Sequence, residues 1–141
     1  MTAQASEKLI HQGKGLLMHS LPLNRCRSFN IKARELLISS TGLWRGYLGD
    51  WTIIDGRLYL IGIHGTLKNG EKVSLYYFFP GYPNIVFAHW SSGSLEVMFG
   101  KCIEYIHMGF ASRYEKEWHI FVENGVVVGE KTILNSPVQR P

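Results

Sequence analysis

Cysteine is scarce in this chain: there are two, Cys26 and Cys102, with no Cys-x-x-Cys pair and no clustered Cys/His spacing. That excludes a disulfide-stapled scaffold and any zinc site of recognisable spacing, and leaves reduced, buried thiols as the expectation. Long apolar runs are missing as well, and none approaches the roughly 20 residues that a membrane-spanning helix needs. The most leader-like stretch, Lys14 to Pro22, is short and interrupted by His19 and Ser20. A cytoplasmic protein with no membrane partner is therefore expected. There is no P-loop, no Gly-x-Gly-x-x-Gly and no Gly-x-Ser-x-Gly elbow around Ser91, Ser92 and Ser94. No His-x-His pair occurs, and Glu104 and His107 fall on opposite faces of any strand. The expectation is no metal, no cofactor and no assigned catalytic residue.

What the chain does hold points to one soluble β domain. Its 141 residues suffice for a single core, and 45% of them are hydrophobic. Aromatic residues make up 13%, a share that favours strands and large binding faces. The net charge of +4 is unevenly placed. Residues 1–34 carry Lys8, Lys14, Arg25, Arg27, Lys32 and Arg34 against the single acid Glu7, whereas the rest of the chain is close to neutral. These basic residues are segregated from the aromatic ones rather than interleaved with them, which argues against nucleic acid as a partner.

The organising stretch is Leu43 to Phe79. It contains Asp55-Gly56 and Asn69-Gly70, each between apolar runs. Both dipeptides suit type I′ turns, whose central residues need positive φ and whose twist matches the strands they join. Two-residue loops at both sites set Trp51 opposite Leu60 and Leu60 opposite Phe79. The same register sets Gly49, Gly62 and Tyr77 in one row and Tyr47, His64 and Leu75 in another. The shared face is apolar near Trp51 and polar toward Arg45, Tyr47 and His64.

Further along, Glu35 to Ser39 reads as a strand, Pro80 to Asn84 as a break, and Ile85 to Ser91 and Ser94 to Phe99 as strands. Gly100-Lys101 reads as a turn into Cys102 to Met108, and Gly109 to Lys116 as a loop. A last hairpin turns at Asn124-Gly125 between Glu117–Glu123 and Val126–Leu134. Thr2 to Ile10 reads as a short helix or a frayed end, stopped by Gly13 and Gly15. The predicted organisation is a basic N-terminal arm over 1–34, a single β domain over 35–134 and a tail over 135–141. The predicted fold is all-β, an antiparallel up-and-down meander forming a small barrel or strongly curved half-barrel with a short N-terminal helix or arm. Closure would remove the open edges of so many consecutive strands.

Two resemblances sit in these residues. Gly49-Asp-Trp51 resembles the Gly-x-Trp of lipocalin-type barrels, although the strands after it are short and the motif lies far from the first residue. More of the chain, about 40 to 134, is covered by Trp44-Arg-Gly-Tyr47, Trp51 to Leu60, Tyr105-Ile-His-Met-Gly109 and the closing Asn-Gly hairpin. Together these resemble a group of small uncharacterised bacterial proteins. That resemblance implies a self-contained bacterial domain and no transferable activity.

Candidate site residues follow from the register. Arg45, Tyr47, Trp51, His64 and Tyr77 would line the mouth of a barrel and receive a small apolar or aromatic ligand. His64 would be the general base if that pocket were catalytic. His89 with Glu96 and His119 with Glu130 read as cross-strand pairs. The other face of the Tyr76–Phe79 strand, with Tyr76, Phe78, Ile61 and Ile63, would form an apolar interface for a protein partner or a homodimer. The leading functional expectation is a binding protein of inhibitor or immunity type, or one that self-associates. The alternative is a small-molecule-binding barrel.

Overall fold

The computed structural model describes residues 4–38, 40–104, 110 and 113–135, with backbone alone at 101–104 and 113. Eight strands form one sheet: β1 (Glu7–His11), β2 (Lys14–Met18), β3 (Tyr47–Ile54), β4 (Arg57–Gly65), β5 (Val86–Phe87), β6 (Gly93–Glu104), β7 (Arg113–Glu123) and β8 (Val126–Leu134). Two short helices, α1 (Arg27–Lys32) and α2 (Leu75–Phe78), lie in the connections. The strand order is β3-β1-β2-β6-β7-β8-β4-β5, and β3 also pairs with β4, so the sheet closes nearly in a ring. The fold is all-β and barrel-like, as the hairpin pattern predicts.

The chain reaches that closure by a different route from a simple meander. Residues 7–18, expected as a helix or arm, form a hairpin lying between β3 and β6. Its turn, Gln12-Gly13, has φ of 50° and 77°, the two positive values of a type I′ loop. β1 then runs parallel to β3, from Lys8 beside Asp50 to Ile10 beside Thr52, which makes the sheet mixed. The short helix of the N-terminal region is α1, at Arg27–Lys32 and not at the Thr2–Ile10 stretch where the sequence pattern places it.

Of the three expected Asp-Gly and Asn-Gly turns, two hold and one does not. Asp55-Gly56 and Asn124-Gly125 each show paired positive φ and two-residue loops. At Asn69-Gly70 only glycine has positive φ; the Asn69 side chain caps the Glu71 amide at 2.9 Å, and pairing stops at the Thr66–Lys72 bridge. The chain then forms α2. Leu75 and Phe78 are three apart and both buried, whereas Tyr76 between them is exposed, so a helical turn satisfies this aromatic run better than a strand would. Pro80 follows at once.

A single bulge reorients half of the predicted face. Trp51 pairs with Leu60 but Asp50 with Gly62, which leaves Ile61 unpaired and inverts the side-chain parity of β4 beyond it. Ile63 consequently points inward and His64 outward. The same effect appears in the last hairpin, where Val122 faces Val127 as expected but Ile120 faces Glu130 and His119 faces Lys131. Glu96 faces His119, not His89. Glu35 closes a short 3₁₀ turn and Leu36 keeps only an isolated bridge to Leu67, in place of the expected strand. β6 runs through Gly100-Lys101 as a bulged strand rather than turning there, and β7 starts within the expected loop, at Arg113. The expectations for 105–109 lie outside the described residues.

Side chains fill the interior. Leu9, Trp51, Leu58, Leu60, Val97 and Ile120 are fully buried, and Phe29 of α1 plugs one end. Its ring stands 4.8 Å from Tyr47 and 4.6 Å from Phe78. Elsewhere, Gly125 accepts from the Leu58 amide at 2.8 Å and donates to Ser91 at 2.8 Å, with φ of +83°. A Cβ there would meet the Ala88 carbonyl at 2.6 Å and the Phe87 ring at 2.8 Å, so only glycine lets this turn clamp residues 87–91 against β4.

Candidate functional site

Three of the five residues predicted to line a barrel mouth do converge, around a partner that the sequence reading counted only as a charge. Glu7 on β1 is fully buried. Its carboxylate accepts from Arg45 Nη2 at 2.9 Å, the Gly49 amide at 2.7 Å and Trp51 Nε1 at 3.3 Å. A Cβ on Gly49 would lie 2.5 Å from Glu7 Oε1, so glycine at this position makes room for the acid. The Arg45 guanidinium also sits 5.3 Å from the Tyr47 ring centroid. Burial raises the Glu7 pKa above its usual value, against the pull of Arg45 and the two N–H donors. Tyr47 is likewise raised above the ordinary phenol value, by burial and then by the neighbouring Glu7 charge. Its hydroxyl and Arg45 Nε have no hydrogen-bond partner among the described residues. This is an internal polar knot that ties β1 to β3.

The other two predicted mouth residues go elsewhere. His64 lies on the outer face, where it meets Asp50 at 2.6 Å across the bulge, and is 64% exposed. Tyr77 accepts Lys32 Nζ on its carbonyl at 2.8 Å, with the ammonium 5.4 Å from its ring. The predicted apolar interface is also dispersed. Phe78 and Ile63 are buried, Ile61 is half-buried, and Tyr76 alone is open to solvent. The arm-derived helix α1 covers Phe78.

A cleft does exist, on the flank of the barrel. Phe79-Pro80-Gly81-Tyr82 forms a turn closed by the Tyr82 amide on the Phe79 carbonyl at 3.0 Å, with φ of 93° at Gly81. Proline at the second position and glycine at the third suit a type II turn. Residues 86–91 return along β4: Val86 and Phe87 pair with Leu60 and Tyr59, and the Ala88 amide donates to Leu58 at 2.9 Å. The return brings Trp90 onto Phe79, ring centroids 5.5 Å apart and planes 9° apart. Trp90 Nε1 donates to the Pro22 carbonyl at 3.1 Å, which fixes the indole and draws the turn at 22–25 against it.

The result is a cleft of about 580 Å³ walled by Phe79, Tyr82, Phe87 and Trp90, with Cys26 and Ser28 at its base and Arg25, Arg27 and His89 around it. Cys26 is a free, buried thiol, 3.5 Å from the Ser28 hydroxyl. Neither Arg25 nor Arg27 makes an ion pair or side-chain hydrogen bond among the described residues. The arrangement offers a flat apolar surface with uncommitted positive charge at its edge. No sequence pattern announces it, because its walls come from 25–28 and 79–90 and meet only in three dimensions. The local signals were the Pro80-Gly81 turn and the His89-Trp90 pair, both read simply as punctuation and strand. No family model, curated protein or solved structure matches the chain.

Proposed function

We propose that the chain is a small-ligand-binding domain whose site is the Phe79–Trp90 cleft and whose ligand carries a flat, largely apolar ring. The observation that supports this reading is the parallel Phe79–Trp90 pair, held in place by the Trp90–Pro22 hydrogen bond beside a cavity of about 580 Å³. A volume of that size falls within the range of small-molecule sites, and a pre-formed aromatic wall lowers the entropy cost of binding. The test is a titration of the protein with 2-naphthoate and with cyclohexanecarboxylate, followed by amide chemical shifts. Saturable shifts confined to 79–90 and 25–28 are expected for the flat acid, and weaker ones for the puckered acid. Tyr82 is 56% exposed, so Tyr82→Ala preserves the fold and should weaken the flat acid several-fold. Equal response to both acids, or none at those residues, would sink the reading.

A second reading rests on another observation. The loop between α1 and β3 leaves Leu37, Ile38 and Trp44 exposed, Trp44 by 67%. Such side chains support docking of a second copy through this loop, in line with the dimer expected from sequence. Light scattering over a concentration series tests it. Trp44→Ser should lower the apparent mass, and a wild-type chain that stays monomeric at high concentration rejects the reading.

A further inference from the structure

A second cavity, of about 480 Å³, lies on the other side of the turn at 22–25, and Arg25 lines both. The same chain segments wall the two: 79–90 face the first, and 91–95 continue directly into the second. Their chemistry differs sharply. The first is aromatic, whereas the second is walled by His19, Asn24, Ser91, Ser92 and Ser94. Among the described residues, no carboxylate lines either cavity.

We propose that the second cavity takes the phosphoryl group of the ligand whose ring occupies the first, so that the whole ligand is a flat ring joined to a phosphate monoester, as in a nucleoside monophosphate. This rests on the Phe79–Trp90 reading of the ring site. The donors that a phosphate needs stand free. The side chains of Arg25, Asn24 and His19 make no hydrogen bond or ion pair among the described residues. Ser92 Oγ accepts from the Asn124 amide at 2.9 Å and keeps its own proton to donate. His19 is stacked on Phe110 at 5.1 Å and meets Tyr114 edge to face at 5.6 Å. Burial lowers its pKa below the ordinary histidine value, against the pull of the Glu117 charge. An arginine fork between a ring slot and a hydroxyl-lined slot suits a bidentate contact to phosphate oxygens.

Calorimetric titration with adenosine 5′-monophosphate, adenosine and inorganic phosphate tests the assignment. The monophosphate should bind at least about tenfold more tightly than the nucleoside, the gain expected of one charge-assisted contact. Arg25→Ala should remove that gain, weakening the monophosphate at least about tenfold more than it weakens adenosine, and Arg25→Lys should restore part of it. Equal affinity for nucleoside and nucleotide overturns the phosphoryl site and leaves the ring site standing. So does an Arg25→Ala loss that falls equally on both. Phosphate binding that adenosine neither assists nor accompanies overturns the composite ligand. If neither adenosine nor its monophosphate binds, while 2-naphthoate does, the nucleotide assignment falls alone. If no flat compound binds, the ring site falls with it.

Discussion

At the scale of single residues, the buried Glu7–Arg45–Tyr47 knot is where charge and burial compete most directly. The Tyr47 hydroxyl was desolvated without gaining a partner among the described residues, and Tyr47→Phe deletes that hydroxyl while keeping the ring against Phe29. The substitution should stabilise the protein by about 1 kcal/mol, read as a higher urea midpoint at unchanged slope. Glu7 gives a pH signature. Its pKa is raised chiefly by burial, so the folded protein holds this proton more tightly than the unfolded chain does. Its contribution to stability is therefore greatest below the unfolded value of 4.5 and declines as pH rises through the folded value. Glu7→Gln abolishes that titration. Urea midpoints of wild type and Glu7→Gln, measured from about pH 4 to 7, should shift against the wild type as pH rises. A constant difference would show that the ion pair with Arg45 balances desolvation, and an opposite one that it outweighs it.

At the scale of elements, α1 was legible only as irregular basic sequence, yet it supplies the plug of the barrel. Phe29 is fully buried between Tyr47 and Phe78. Phe29→Ala should cost about 3–5 kcal/mol by lost burial and an unfilled cavity, visible as a lowered midpoint and a loss of near-ultraviolet signal from the packed rings. What the sequence did disclose were turns with strong local chemistry. Asp55-Gly56 and Asn124-Gly125 each place two positive-φ residues between apolar runs, and both hairpins formed there. Gln12-Gly13 adopts the same geometry, but glutamine is not a preferred left-handed residue, so its glycine read as a helix stop. The Ile61 bulge left no trace in composition, and it alone moved His64 out of the predicted site. Tyr76 to Phe79 misled because aromatic content favours a strand, whereas the buried pair Leu75 and Phe78 has helical spacing. The clefts beside Arg25 were least legible, since their walls are joined only by contacts between segments far apart in the chain, such as the Trp90–Pro22 hydrogen bond across 68 positions and the Ser20 bonds to Ser94 and Glu96.

At the scale of the whole molecule, closure depends on the residues that looked most like an appendage. β1 and β2 occupy the gap between β3 and β6, and β1 also delivers Glu7 to Arg45. Removing residues 1–20 would expose two long strand edges and leave a 10%-exposed guanidinium without its acid, both strongly unfavourable. The turn at 22–25 follows β2 directly and, through Pro22, holds Trp90; losing the hairpin should therefore loosen the aromatic cleft as well. The shortened chain should unfold without cooperativity and elute with an enlarged or aggregated profile, and it should lose the ligand-induced shifts of 79–90. Adding a synthetic peptide of residues 1–20 should restore cooperative unfolding and those shifts together, because one hairpin both completes the ring and sets the turn that the cleft is built on. A shortened chain that keeps the full-length urea midpoint would mean that β3 and β6 need no strands between them, and the hairpin would then be the free arm that its charge first suggested.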